Sequence, residues 1–178
     1  MLHIVDNFLT DGSCDTLVAL FGRSRFSQSV SVDGALRTSQ FVYVRRDDAA
    51  LDPVWASIPA LFVPSACELA QITKYDVGGS FGMLSDAFSP EYLRAHSQTQ
   101  RCGTFLVYLT DVALGGETHF PQLGRRITPR KGRAVWFEPS KHGQIDYRLV
   151  HAALPVVQGA KYVLQIWCRE RGILTEKK

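Results

Sequence analysis

The chain has 178 residues, enough for one domain with one real hydrophobic core, and 46% are hydrophobic against 21% charged. Its formal charge of +3 is too small a surplus to point to nucleic acid. The opening MLHIVDNFLTDG lacks a basic run followed by an apolar run, so no secretory leader is expected. The most apolar window, VWASIPALFVPSAC over 54–67, is broken by two prolines and is too short to span a bilayer.

A first helix is expected over CDTLVALFGR, capped by Thr10 or Asp11, with Leu17, Val18, Leu20 and Phe21 as its apolar face and Gly22 at its end. VSVDG at 30–34 reads as a short strand and turn. Arg37–Arg45, with apolar Phe41 and Val44, suits a strand. LDPVWASIPALF reads as a helix starting near Asp52-Pro53, with Pro59 as its break. ACELAQITKYDVG passes from helical spacing into alternation, and Gly78-Gly79 marks a tight connection. Beyond it the pattern is mostly β. CGTFLVYLTDV, ETHFP, RAVWFE, RLVHAALPV and GAKYVLQIWCRE read as strands, separated by ALGG and by a turn over Pro129–Gly132. Within RAVWFE only one of Trp136 and Phe137 is expected to face the core. GRRITPRKGR reads as a solvated hairpin, and the terminal TEKK as a frayed tail. Many short strands punctuated by Gly and Pro suggest a barrel or a sandwich.

Cys14, Cys67, Cys102 and Cys168 have neither zinc-knuckle nor CxxC spacing. Free thiols in a reducing compartment, and therefore a cytoplasmic protein, are the expectation. Asp86 follows the apolar FGML, His151 lies inside RLVHAALPV, and Lys161 opens the last strand. Taken singly these are ordinary residues: a cap, a core histidine and a solvent-facing lysine.

Three blocks change their weight. YDVGGSFGMLSD (75–86), TFLVYLTDVALGGETHFPQLG (104–124, continuing into ITPRKGRAVWFE) and DYRLVHAALPVVQGAKYVLQIWCRE (146–170) resemble, in order and spacing, the prolyl 4-hydroxylase branch of the iron(II) and 2-oxoglutarate dioxygenases. LTDGSCDTLVAL and the RTS at Arg37–Ser39 extend the resemblance over nearly the whole chain. It implies a mainly β fold with flanking N-terminal helices, a double-stranded β-helix or jelly-roll-like barrel. Residues 1–178 would form a single domain, with a helical cover over about 10–70 and a barrel core over about 71–170. It implies Asp86 and His151 as iron ligands and Lys161 as the partner of the far carboxylate of 2-oxoglutarate. Tyr75, Tyr108 and Thr118 would line the cosubstrate pocket, with Trp167 near its mouth. Implied with them are Fe(II), 2-oxoglutarate as cosubstrate, ascorbate for reactivation, and a peptide, amino acid or small molecule hydroxylated at an unactivated C–H bond. Neither nucleic acid nor a membrane is an expected partner, and the oligomeric state is left open.

One position departs from that pattern. Where the family places its first iron histidine, two residues before the aspartate, this chain has Leu84, and no histidine lies between His3 and His96. Four readings follow. The site is degenerate, leaving a non-catalytic pseudo-oxygenase that binds or scaffolds. Alternatively a ligand comes from elsewhere: His119 first, although alternation turns it away from Thr118, then His96, His142 and His3. A third reading is a working two-ligand centre, with Leu84 as a wall of the substrate pocket. In the fourth, leucine has been introduced in place of a natural histidine.

Overall fold

The structure is a computed structural model that describes residues 1–29 and 38–170. The expected strand at VSVDG, Arg37 of the RTS motif and the TEKK tail lie outside the described residues.

Helix α1 (Asp11–Arg23) starts where Thr10 accepts a hydrogen bond from the Ser13 amide. It buries Cys14, Leu17 and Phe21. Helix α2 (Asp52–Ser57) carries Pro53 in its first turn, where the missing N–H costs nothing, and stops before Pro59. The helical spacing of ACELA forms no helix. A single 3-10 turn over Pro64–Ala66 leads into extended backbone, because the following residues are recruited to a sheet. Helix α3 (Pro90–His96) stands where the mostly β pattern named no helix, with Ser89 accepting from the Tyr92 amide and Pro90 in the first turn.

Strands form two main sheets. In the seven-stranded sheet the order is Leu2–Val5, Ala134–Phe137, Arg101–Tyr108, Lys161–Arg169, Ala70–Tyr75, Gln40–Val44 and Ser27–Gln28. The four-stranded sheet runs Phe81–Leu84, His151–Ala153, Thr118–Phe120 and Arg125–Ile127. The expected jelly-roll-like barrel, or double-stranded β-helix, is corrected here: both sheets are open, and among the described residues no strand pairing closes one onto the other. The strands that would bridge them are interrupted. Gly78, at φ 82, turns the chain between Tyr75 and Phe81. Among the described residues Leu114–Gly115 and Val156–Gln158 pair only with each other, through an irregular register, and Gly115 and Gly116 both have positive φ. ALGG is thus partly strand rather than purely turn.

The larger sheet is covered on both faces. Phe105, Val107, Leu164, Ile166, Val42 and Val44 pack with Leu17, Phe21, Leu51 and Val54 of the helical side. Val42 and Val44, rather than Phe41 and Val44, are therefore the core pair of that strand. On the opposite face Leu106, Tyr108, Val135, Phe137 and Val163 meet Phe120 and Ile127 of the smaller sheet. Phe137 is fully buried, whereas Trp136 is half-buried and stacks on His3 at 5.0 Å. The basic hairpin is partly tied down, since Arg133 pairs with Asp6 at 2.5 Å and Lys131 with Asp15 at 2.6 Å.

Candidate functional site

Strict alternation along the two central strands sorts their side chains by chemistry. From Lys161–Arg169, the side chains of Lys161, Val163, Gln165 and Trp167 line a cavity between the sheets, while Leu164, Ile166 and Cys168 join the helical core. The smaller sheet contributes Phe81, Leu84, Thr118, His151 and Ala153, and Asp86, Tyr75 and Leu106 complete a cavity of about 40 Å³. Of the residues singled out from the sequence, Tyr75, Leu84, Asp86, Thr118, His151, Lys161 and Trp167 thus share one wall system. Tyr108 lies just behind it, its hydroxyl donating to Thr118 Oγ1 at 2.7 Å.

At one end, His151 and Asp86 are both buried, with Nε2 and Oδ2 3.7 Å apart. That is too long for a hydrogen bond. The His151 Nδ1–H donates to the Leu149 carbonyl at 2.9 Å, so in the neutral ring Nε2 carries the bare lone pair. Asp86 Oδ2 accepts from the Thr104 hydroxyl at 2.9 Å, which fixes the carboxylate. The sequence reading missed Thr104. Alternation along its strand placed it on the site face, but nothing local tied it to Asp86. Leu84 is the register partner of His151 on the neighbouring strand, so it stands directly beside the two donors.

At the other end, Lys161 is 2% exposed. Its ammonium lies 5.3 Å from the Tyr75 ring and 5.5 Å from the Tyr108 ring. Among the described residues no carboxylate pairs with it. Burial lowers its pKa to about 7, against the pull of the Glu117 carboxylate. Burial likewise raises the Tyr108 phenol, which the bond to Thr118 offsets only in part. Trp167 Nε1 is buried without a hydrogen-bond partner among the described residues. Gln165 accepts from Thr73, which accepts in turn from Gln71, each at 2.9 Å. Beside Trp167, Arg101 lies over the indole at 4.5 Å, and it shares Glu68 with Arg169 at 2.7 and 2.6 Å.

The remaining histidines stand elsewhere. His119 is half-buried between buried Thr118 and Phe120 and does not line the cavity. His3 is on the first strand, His96 ends α3, and His142 sits in a turn at φ 51. Among the described residues no group of three His, Cys, Asp or Glu is placed to hold a metal ion. No helix among them is long and apolar enough to cross a membrane.

Residues 70–169 match the family model of the 2OG-Fe(II) oxygenase superfamily, and the chain belongs to that superfamily. Prolyl 4-hydroxylase subunit alpha-2 of Gallus gallus is 40% identical over 146 residues, which are 76% of this chain and 26% of that protein. Probable prolyl 4-hydroxylase 9 of Arabidopsis thaliana is 32% identical over 156 residues, 76% of this chain and 54% of that protein. The chain spans only about a quarter of the length of the animal subunits it matches. In fold it is similar to the viral collagen prolyl hydroxylase vCPH from Paramecium Bursaria Chlorella virus-1, in its 2OG complex (TM-score 0.79, 24% identity, 94% and 95% of the two chains). It is also similar to a Pseudomonas putida prolyl-4-hydroxylase (TM-score 0.72, 19% identity, 96% and 93%).

Proposed function

We propose that this cavity takes 2-oxoglutarate, with its far carboxylate on Lys161 and its keto-acid end toward Asp86 and His151. Those two residues would hold Fe(II) in a centre to which the chain gives two donors. The observation that carries this reading is the pairing of opposites in one small cavity. A buried ammonium that no carboxylate pairs among the described residues stands at one end, and an imidazole nitrogen beside a carboxylate stands at the other. A buried cation without a paired carboxylate is costly, and an anionic ligand would relieve that cost. The donor set, one imidazole and one carboxylate, suits Fe(II), although a full facial triad would have a second imidazole where Leu84 stands.

Bound Fe(II) with 2-oxoglutarate would supply oxygen chemistry at a C–H bond of a peptide, an amino acid or another small molecule, the keto acid leaving as succinate and carbon dioxide. Lys161 and the Tyr108–Thr118 pair would fix the ligand's carboxylate, and the aromatic walls would keep water from it. Thr104 holds Asp86, and the Leu149 carbonyl holds the tautomer of His151, so both donors are oriented before anything binds. Trp167 and Gln165, on the same strand face as Lys161, would meet the substrate. Ascorbate would serve only to restore an oxidised centre.

Leu84 favours a second reading, in which the pocket binds its keto acid without turnover. Anaerobic titration with Fe(II) and 2-oxoglutarate separates the two. The first reading expects a weak visible charge-transfer band, then succinate once oxygen is admitted. Binding of 2-oxoglutarate in EDTA, with neither band nor succinate at saturating iron, would establish the second. No binding under any of these conditions would sink both.

A further inference from the structure

On the opposite face of the larger sheet, behind Trp167, three thiols meet. Cys67 and Cys168 are direct partners in an isolated antiparallel bridge, and the Glu68 amide donates to the Trp167 carbonyl at 2.8 Å beside them. That arrangement is the close, non-hydrogen-bonded type of cross-strand pair, whose Cα separation falls within the span a disulfide bridges. Cys102 Sγ donates to the Cys168 carbonyl at 3.6 Å, and Cys168 Sγ to the Leu61 carbonyl at 3.4 Å. All four cysteines are free thiols; Cys67 and Cys168 are buried, and Cys102, beside them, is partly exposed. The Arg46 guanidinium donates to the Cys67 carbonyl and brings a cation to that residue.

We propose that Cys67 and Cys168 form a redox modification site, which a hydroperoxide converts to a disulfide. The Cys67 thiolate attacks a peroxide oxygen, the O–O bond breaks, and hydroxide takes up a proton and leaves as water. Cys168 sulfur then attacks the Cys67 sulfenic sulfur, the S–S bond forms, and a second water leaves with the Cys168 proton. Two thiols lose two electrons and one hydrogen peroxide becomes two waters.

The three thiols are not equivalent as attackers. The contact with Cys168 and the charge of Arg46 draw the Cys67 pKa below the ordinary thiol value, against burial. For Cys168, Cys102 pulls the pKa down, but the contact with Cys67 and burial outweigh it and push it up to about 11. Cys102 is pushed up by its contact with Cys168 and by burial. Cys67 therefore reacts first, and Cys168, directly across from it, resolves.

The neighbours of these cysteines in sequence give the bond its structural reach. Glu68 follows Cys67, Arg101 precedes Cys102, and Trp167 and Arg169 flank Cys168. Those flanking residues turn to the other face and form the Glu68–Arg101–Arg169 cluster against the indole. A bond between Cys67 and Cys168 fixes the backbone of that cluster and closes a loop of about 100 residues, a large constraint on the unfolded chain.

The test is peroxide treatment of the folded chain at a few equivalents, then alkylation, intact mass and peptide mapping. The expected product has lost two hydrogens, links the Cys67 and Cys168 peptides, is reversed by dithiothreitol, and melts at least about 5 °C higher. Cys102→Ser should still form it, and Cys67→Ser and Cys168→Ser should not. A Cys102–Cys168 link, sulfinic or sulfonic products without a link, or a link formed only in urea would overturn the assignment. The wild-type map decides even if a serine variant fails to fold. None of these readouts depends on what the cavity binds.

Discussion

Lys161→Met removes the buried cation while keeping a side chain of similar length, and its effects can be worked out in sign and size. The ammonium is held between Tyr75 and Tyr108, with Glu117 as the carboxylate that pulls on it, and its pKa is about 7. In the unfolded chain a lysine titrates at about 10.4. Between those two values the unfolded chain binds more protons than the folded one, so stability rises with pH across that window. Below about pH 7 both states are charged and the whole cost of burying the cation remains, on the order of 4–5 kcal/mol as an upper bound. The methionine variant should therefore melt higher than the parent near pH 6 and lose the rise in stability between about pH 7 and 10.

On the proposed reading the same residue would make ligand binding proton-linked. At about pH 8 roughly nine in ten free molecules carry a neutral Lys161, and a dianion such as 2-oxoglutarate restores the ammonium. Binding should then take up about 0.9 proton near pH 8 and about 0.1 near pH 6, and affinity should fall about tenfold per pH unit above 7. Calorimetry at pH 8 in buffers of different ionisation enthalpy reads this uptake as a slope. A slope near zero with binding intact, or unchanged binding by Lys161→Met, would refute the assignment of Lys161 to the ligand's carboxylate.

Leu84→His places an imidazole beside His151 and Asp86 and should tighten Mn(II) or Co(II) binding by about tenfold or more, with a gain in keto-acid consumption. Unchanged metal affinity would mean that position 84 does not face the two donors. Thr104→Val frees Asp86 Oδ2 and should weaken metal binding about tenfold with little change in fold, as read by metal titration beside circular dichroism. Gly132→Ala drives a Cβ into the Leu9 carbonyl oxygen at φ +78 and should cost about 2 kcal/mol or more, a drop in Tm of at least about 4 °C. Thr10→Ala removes the cap of α1 and should cost about 1 kcal/mol, a shift in Tm of about 2–4 °C.

What the sequence disclosed follows the range of the forces involved. α1 and α2 were legible because a cap, a proline and helical spacing lie within a few residues of one another. The strands Arg101–Tyr108, Ala134–Phe137 and Lys161–Arg169 were legible because their apolar runs are long. α3 carried equally local signals in Ser89, Pro90 and Glu91, yet the surrounding β pattern masked them. Sheet closure was misread because it depends on which edges meet, and the interruptions at Gly78 and Gly115 act on partners far along the chain. Asp86, Thr118, His151 and Lys161 come from four separate segments, so only resemblance suggested that they converge. The thiol cluster escaped because Cys67 and Cys168 are neighbours only across strands.

The two ends of the cavity are unequal, and the inequality bears on what the chain does. The proposed anion end has a buried ammonium and aromatic walls that suit a carboxylate. The proposed metal end has two oriented donors and, in register beside His151, a leucine with no lone pair to give. His151 Nδ1 is committed to the Leu149 carbonyl and Asp86 Oδ2 to the Thr104 hydroxyl, which leaves His151 Nε2 3.7 Å from Asp86 Oδ2. On the proposed reading a metal ion shared by these two donors would take the place a direct hydrogen bond does not fill. The keto acid anchored on Lys161 would then bring its own oxygens to the same place.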